Sequence, residues 1–217
     1  MSRPPETNDL VMRVLHALRI KGMADDAAVA RAAGLATAHA GDVLRDLAEQ
    51  GWVRYRAGSR SQGWMLLAPG RTEGERRVAD QIQRSGRRPQ VHELYRSFMV
   101  LDPELKSACT DFQVRDGLTV NDHTDPEYDA AVIGRLAEIN RGVQPITAQL
   151  AGELDRFGHY GDRFDLALGR VLGGDLDWFT KPSVDSYHEV WFELHEDLLV
   201  TLGIDRATET VADIAEA

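Results

Sequence analysis

Residues 25–68 read DDAAVARAAGLATAHAGDVLRDLAEQGWVRYRAGSRSQGWMLLA, and this stretch decides the fold. Asp25 and Asp26 offer an N-cap to a short alanine-rich helix, and Gly34 permits the tight turn that follows it. Thr37 is expected to cap a second helix reaching Gln50, with Gly51 stopping it from the C′ position. Trp52-Val-Arg-Tyr-Arg-Ala57 then alternates with period two, which turns Val53 and Tyr55 inward and Arg54 and Arg56 outward. A polar turn from Gly58 to Gly63 leads into a return strand, Trp64 to Leu67, and Pro69-Gly70 ends the unit. The order is that of a helix-turn-helix followed by a two-stranded wing.

At 100° per residue the second helix has two faces. Ala40, Val43, Leu44 and Leu47 fall on one, and Ala38, Gly41, Asp42, Arg45 and Glu49 on the other, with His39 at the edge. In a helix-turn-helix the outward face enters the major groove, led by its N-terminal half. Thr37, Ala38, His39, Asp42 and Arg45 are therefore the candidate readers of base edges. Arg45 suits guanine and Asp42 a cytosine amino group, while small residues at 38 and 41 permit close approach. On the wing, Arg54, Arg56 and Arg60 suit phosphate or minor-groove contact. The same architecture also serves as a protein-docking module, and one arginine against Asp42, Asp46 and Glu49 is a thin basic footprint on the helix itself.

Charge is divided along the chain. The net charge of −10 over 217 residues hides 16 Lys and Arg against 11 Asp and Glu in residues 1–100, and 9 against 24 in residues 101–217. Only the first part suits a polyanion. A single cysteine, Cys109, rules out an internal disulfide framework and a cysteine-rich zinc site. No apolar run is long enough to span a bilayer and no signal-peptide pattern opens the chain, so a cytoplasmic location is expected.

Leu10, Val11, Val14, Leu15 and Leu18 repeat at helical spacing in a first helix capped by Thr7 or Asn8. Lys21 to Ala24 is a candidate third strand of the wing. Residues 71–89 read as a basic helical connector carrying Arg76, Arg77, Arg84, Arg87 and Arg88. From residue 90 onward the pattern is all helical and acidic. Asp102-Pro103 and Asp125-Pro126 both look like helix starts, an N-cap followed by proline. Between them, residues 116–125 form a polar loop holding Asn121, Asp122 and His123. The second start opens the longest stripe in the chain: Tyr128, Val132, Leu136, Ile139, Val143, Ile146, Leu150, Leu154 and Phe157, interrupted or kinked at Pro145. Asp162 is expected to begin the next helix, Ser183 to cap one reaching Leu202, and Asp205 to open a weak last one carrying Val211 and Ile214. The domain plan is thus 1–70, 71–89 and 90–217. The fold class is mainly α: a winged helix-turn-helix followed by an all-helical bundle.

The 183–202 helix gathers Val184, Tyr187, His188, Trp191, His195, Leu198, Leu199 and Leu202 in one sector. Asp185, Glu189, Glu193, Glu196 and Asp197 point the other way. An apolar face with a few polar groups is the make-up of a small-molecule pocket. Tyr187, His188, Trp191 and His195, joined by Trp178 and Tyr95, are its candidate lining; Cys109, His123 and Phe179 are further ones. The plain alternative is a pair of core histidines bonded to neighbouring helices. His188 and His195 are seven apart, not the spacing of a shared metal face, so no metal and no cofactor is expected. Neither a phosphate-binding glycine loop nor a nucleophile elbow is present, which argues against an enzyme.

Three pieces of the 25–71 block carry a family resemblance: Ala33-Gly34-Leu35 at the turn, Val43-Leu-Arg-Asp-Leu47 with Gly51-Trp-Val53 after it, and Trp64-Met-Leu-Leu-Ala-Pro-Gly-Arg71. With these, about a third of the chain resembles bacterial winged-helix regulators of the MarR-like and related groups. The resemblance implies double-stranded DNA as partner, a homodimer, and an effector bound between reading head and dimer region. In that group, helices on both sides of the wing build the dimer, whereas here the wing comes early and a large acidic helical part follows. The expected function is a homodimeric, ligand-responsive transcription regulator; the alternative is a protein-interaction adaptor without sequence-specific DNA binding.

Overall fold

The computed structural model describes residues 7–58 and 62–206. The chain is mainly helical, with a small three-stranded antiparallel sheet. It divides into two compact units. Among the described residues, 7–88 with 196–206 make the first and 89–195 the second.

The first unit runs α1 (Thr7–Lys21), β1 (Met23–Ala24), α2 (Asp26–Ala33), α3 (Thr37–Glu49), β2 (Val53–Arg56), β3 (Gly63–Leu66) and α4 (Ala68–Ser85). Local signals set these boundaries. Asp25 caps α2 by accepting from the Ala28 amide at 2.8 Å, and Gly34 ends it at φ 64°. Gly51, at φ 71°, stands after α3. Residue 36, rather than the expected Thr37, is the cap position of α3; Thr37 is already helical, and no side chain caps that end. The strand order is β1-β3-β2, so the two residues Met23 and Ala24 do add the third strand, with Met23 opposite Met65 and Val53 opposite Leu66.

Val14, Leu15 and Leu18 of α1, Val29 and Ala33 of α2, Leu44 and Leu47 of α3, and Val53 of β2 form one apolar core. Burying side chains of this size stabilises by about 1.5–3 kcal/mol each. The helix expected in the stretch 71–89 is present over 71–85. It belongs to α4, which starts at residue 68 and packs on α1. A Cβ placed at Gly70 would lie 2.1 Å from the Trp52 carbonyl oxygen, and one at Gly74 would lie 3.1 Å from Leu15 Cβ. Residues 196–206 also belong to this unit. Asp197 meets His16 Nε2 at 2.9 Å, Glu196 meets Arg19 at 2.8 Å, and Arg88 donates to the Leu202 carbonyl at 2.7 Å.

The second unit holds α5 (Arg88–Gln113), a hairpin β4 (Val114–Arg115) and β5 (Thr119–Val120), α6 (Pro126–Glu153), a 3-10 turn (Asp155–His159), α7 (Tyr160–Leu172), α8 (Asp177–Thr180) and the first part of α9 (Tyr187–Leu202). Asp125 caps α6 from its side chain to the Tyr128 amide at 3.1 Å, as its sequence suggests. The stripe from Val132 to Leu150 is buried, and exposed Pro145 does not break the helix.

Three expected helix starts are corrected. Asp102-Pro103 lies inside continuous α5, because Asp102 is buried as the acceptor for Trp191 rather than free to cap. The helix expected from Asp162 begins at Tyr160. Ser183 does not cap α9; that helix starts at Tyr187, with Ser186 Oγ accepting from the Glu189 amide at 3.3 Å. The last helix expected from Asp205, with Val211 and Ile214, lies outside the described residues except for its first two positions.

Candidate nucleic-acid interface

The outer face of α3 is set by what its inner face buries. Ala40, Leu44 and Leu47 are fully buried, which turns Thr37, Ala38, His39, Asp42 and Arg45 to solvent together. All five expected readers therefore share one exposed surface. Gly41 does not belong to it. It is buried, and a Cβ there would meet Asp26 Oδ2 at 3.1 Å and Arg45 Nη1 at 3.4 Å. Glycine at 41 thus serves the approach of α2 to α3 rather than the approach of a ligand.

Asp26 is held from a second direction. The indole of Trp64 on β3 donates to its Oδ1 at 2.6 Å, so the hairpin is tied to α2 at this carboxylate. Arg45 pairs with Asp42 one turn earlier, both largely exposed. That pair leaves the face close to neutral at its centre. Exposed pairs of this kind contribute little to stability, so a stronger acceptor can displace Asp42.

On β2, Arg54 and Arg56 are exposed, and neither has an ion-pair partner among the described residues. Arg60 lies outside the described residues. Tyr55 departs from its expected inward position. Val53 is buried, but Tyr55 on the same side is 44% exposed, because the core ends at Val53; Tyr55 pairs with Trp64 directly opposite. Their rings meet edge to face at 5.3 Å. The alternation of residue types cannot report where a core stops, so sequence missed this exposed aromatic between two arginines.

Two arginines of α4, Arg76 and Arg77, are less available. Arg76 is bonded to Glu73 and Asp80, and Arg77 to Glu73 while lying over the Trp52 ring. The bond from Arg76 pulls the Glu73 carboxyl down from 4.5 to about 2.

Comparison with family models, curated proteins and solved structures found no match.

The expected ligand lining is only partly brought together. Tyr95, Tyr187, Trp191 and His195 are buried in the second unit as a stack of rings. Phe98 lies 4.3 Å from Trp191, and His195 stacks 6.3 Å from Tyr95. Trp191 Nε1 donates to Asp102 Oδ1 at 3.0 Å, and the Tyr187 hydroxyl donates to Asn140 Oδ1 at 3.2 Å. Burial raises the Tyr187 hydroxyl well above its ordinary pKa. His188 is not aimed inward as expected; its side chain is 45% exposed, and partial burial lowers its pKa. Trp178 stands apart, half-buried with Arg170 over its ring.

Two carboxylates placed on the solvent face of α9 are buried instead. Glu193 meets Arg163 at 2.9 Å and Asp197 meets His16 at 2.9 Å. A buried carboxylate needs such a partner. Both partners stand on other helices, far along the chain, where no helical spacing rule reaches.

Proposed function

We propose that the chain is a DNA-binding transcription regulator whose first unit is a winged helix-turn-helix similar to the MarR-like groups. α3 reads the major groove and the β2–β3 hairpin is the wing. The observation that carries this reading is the shared exposure of Thr37, Ala38, His39, Asp42 and Arg45 beside two wing arginines, Arg54 and Arg56, that have no ion-pair partner among the described residues. Element order supports it as well: three helices, then a hairpin, with a short first strand joining the sheet. Arg45 exchanges Asp42 for a guanine edge on binding, and the wing arginines meet phosphate or the minor groove.

The regulator acts as a homodimer on a two-fold site, and a small molecule bound in the C-terminal helical part modulates its operator affinity. Such a ligand acts only by preferring one spacing of the two reading heads. No helix among the described residues is long and apolar enough to cross a membrane.

The acidic neighbours of Arg45 favour one second reading, a protein-interaction adaptor that docks a basic partner through α3. Sequencing genomic fragments that co-purify with the full chain separates the two. Enrichment of a common inverted repeat supports the regulator. Recovery of a protein partner with no enriched fragment supports the adaptor.

A further inference from the structure

An open cleft of about 320 Å³ lies wholly within the second unit, where the end of α5 and the β4–β5 hairpin face α8. It stands apart from the α9 ring stack. His123 and Asn121 line it, and both are held by Asp129. Asp129 is buried at the start of α6; its Oδ1 accepts from Asn121 Nδ2 at 2.8 Å and its Oδ2 lies 3.0 Å from His123 Nδ1. Asn121 Nδ2 also donates to the Phe112 carbonyl at 3.1 Å, so both its protons are used. A carboxylate only accepts, which places the proton of the imidazole on Nδ1. The remaining nitrogen, Nε2, makes no hydrogen bond to any described residue, while the ring itself lines the cleft. His123 is held there at φ 57°, a conformation side-chain-bearing residues adopt rarely, with its amide donating to Asn121 Oδ1 at 3.3 Å. A structured turn thus presents one oriented lone pair to an open space.

The surroundings restrict what can meet it. Lys181 also lines the cleft, joined to Asp177 at 2.5 Å, so the rim presents a cation and a carboxylate together rather than a lone positive charge. Phe112 offers no free face to a flat aromatic ligand, since it is buried with Phe179 stacked at 4.1 Å and His123 tilted at 4.6 Å. The lining is mixed: Phe112, Val120 and Leu176 are apolar, while Nε2 of His123 is an acceptor and Gln113, Thr180 and the Lys181–Asp177 pair are donors and acceptors, which suits a ligand with both C–H faces and hydroxyls.

We infer that this cleft binds a neutral polyhydroxylated ligand of monosaccharide size, one hydroxyl donating to His123 Nε2. The volume lies at the lower end of small-molecule sites, which suits one sugar ring.

The test uses the full chain without DNA, so that its failure and that of the regulator reading are separable. Glucose, galactose, mannose and xylose are titrated while the His123 ring resonances are followed by NMR, with phenol, benzoate and inorganic phosphate as comparisons. The resonances are assigned by their loss in His123→Asn, a substitution that tolerates positive φ. At least one sugar shifts them saturably at millimolar concentration, and His123→Asn, followed through the Gln113 and Thr180 backbone amide resonances in both proteins, weakens that binding at least tenfold while circular dichroism is unchanged. The inference is overturned if no sugar shifts them, if phenol, benzoate or phosphate does so in place of the sugars, or if His123→Asn binds as well as wild type. The wild-type titration decides the ligand class even if the variant fails to fold.

Discussion

The indole nitrogen of Trp64 and the Oδ1 of Asp26 stand 2.6 Å apart, across 38 residues of sequence. This bond fixes the hairpin to the start of α2. Replacing Trp64 by Phe keeps a ring and removes the donor, which destabilises by about 1–2 kcal/mol. Asp26→Asn keeps an acceptor and has a smaller effect. Urea unfolding of the two variants checks the order. Equal effects would show that the bond itself contributes nothing.

Two glycines separate close approach from mere absence of a side chain. At Gly70 any Cβ collides with the Trp52 backbone carbonyl, which itself accepts from the Leu67 amide at 2.9 Å. Gly70→Ala therefore destabilises by about 2–3 kcal/mol. Gly134 lies within α6 with nothing near its Cβ position. There Gly134→Ala stabilises by about 0.5–1 kcal/mol, through helix propensity. Thermal melts of both variants read the two signs.

The first unit was legible because its signals are local. Asp25 caps α2 three residues on, Gly34 and Gly51 adopt positive φ where helices end, and the core positions of α3 repeat at helical spacing. What sequence misread depends on distant partners. Asp102 looked like a cap because proline follows it, yet Trp191, 89 residues on, draws it inside a continuous helix. Glu193 and Asp197 looked solvated because charge on a helix usually is, and only the fold brings Arg163 and His16 to them. The shared exposure of Thr37, Ala38, His39, Asp42 and Arg45 on α3, and of Arg54 and Arg56 on β2, could be placed from spacing alone, whereas the His123–Asp129 pair needed the turn that joins α5 to α6.

Asp102 gives a second packing test. Removing its carboxylate leaves the Trp191 indole N–H without its acceptor at a position 3% exposed. Asp102→Ala destabilises by about 1–3 kcal/mol. The change also removes the ion pair with exposed Lys106, so Lys106→Ala is the control and changes stability by less than about 0.5 kcal/mol. Guanidinium unfolding distinguishes them.

Glu73 sets a pH dependence. Hydrogen bonds from Arg76, then Arg77, hold its folded pKa at about 2 against an ordinary 4.5. A depressed carboxyl contributes stability above its unfolded pKa and loses it as pH falls through the folded one. The contribution is complete above pH 4.5 and fades towards pH 2. The site lies at the surface beside exposed Arg76, where solvent screens the pair, so the effect is at most about 1 kcal/mol. Glu73→Gln should flatten the acid limb of the stability profile in that window and leave stability at neutral pH lower than wild type. An unchanged acid limb would contradict this assignment.

The most direct test of the account is the salt dependence of binding to the co-purified operator, for wild type and for Arg54→Ala/Arg56→Ala. Removing two guanidinium groups that meet phosphate should reduce the slope of log K against log salt by about 2 and weaken binding by at least tenfold at low salt, on the order expected for counterion release. An unchanged slope with unchanged affinity would contradict the assignment of the hairpin as a DNA-binding wing.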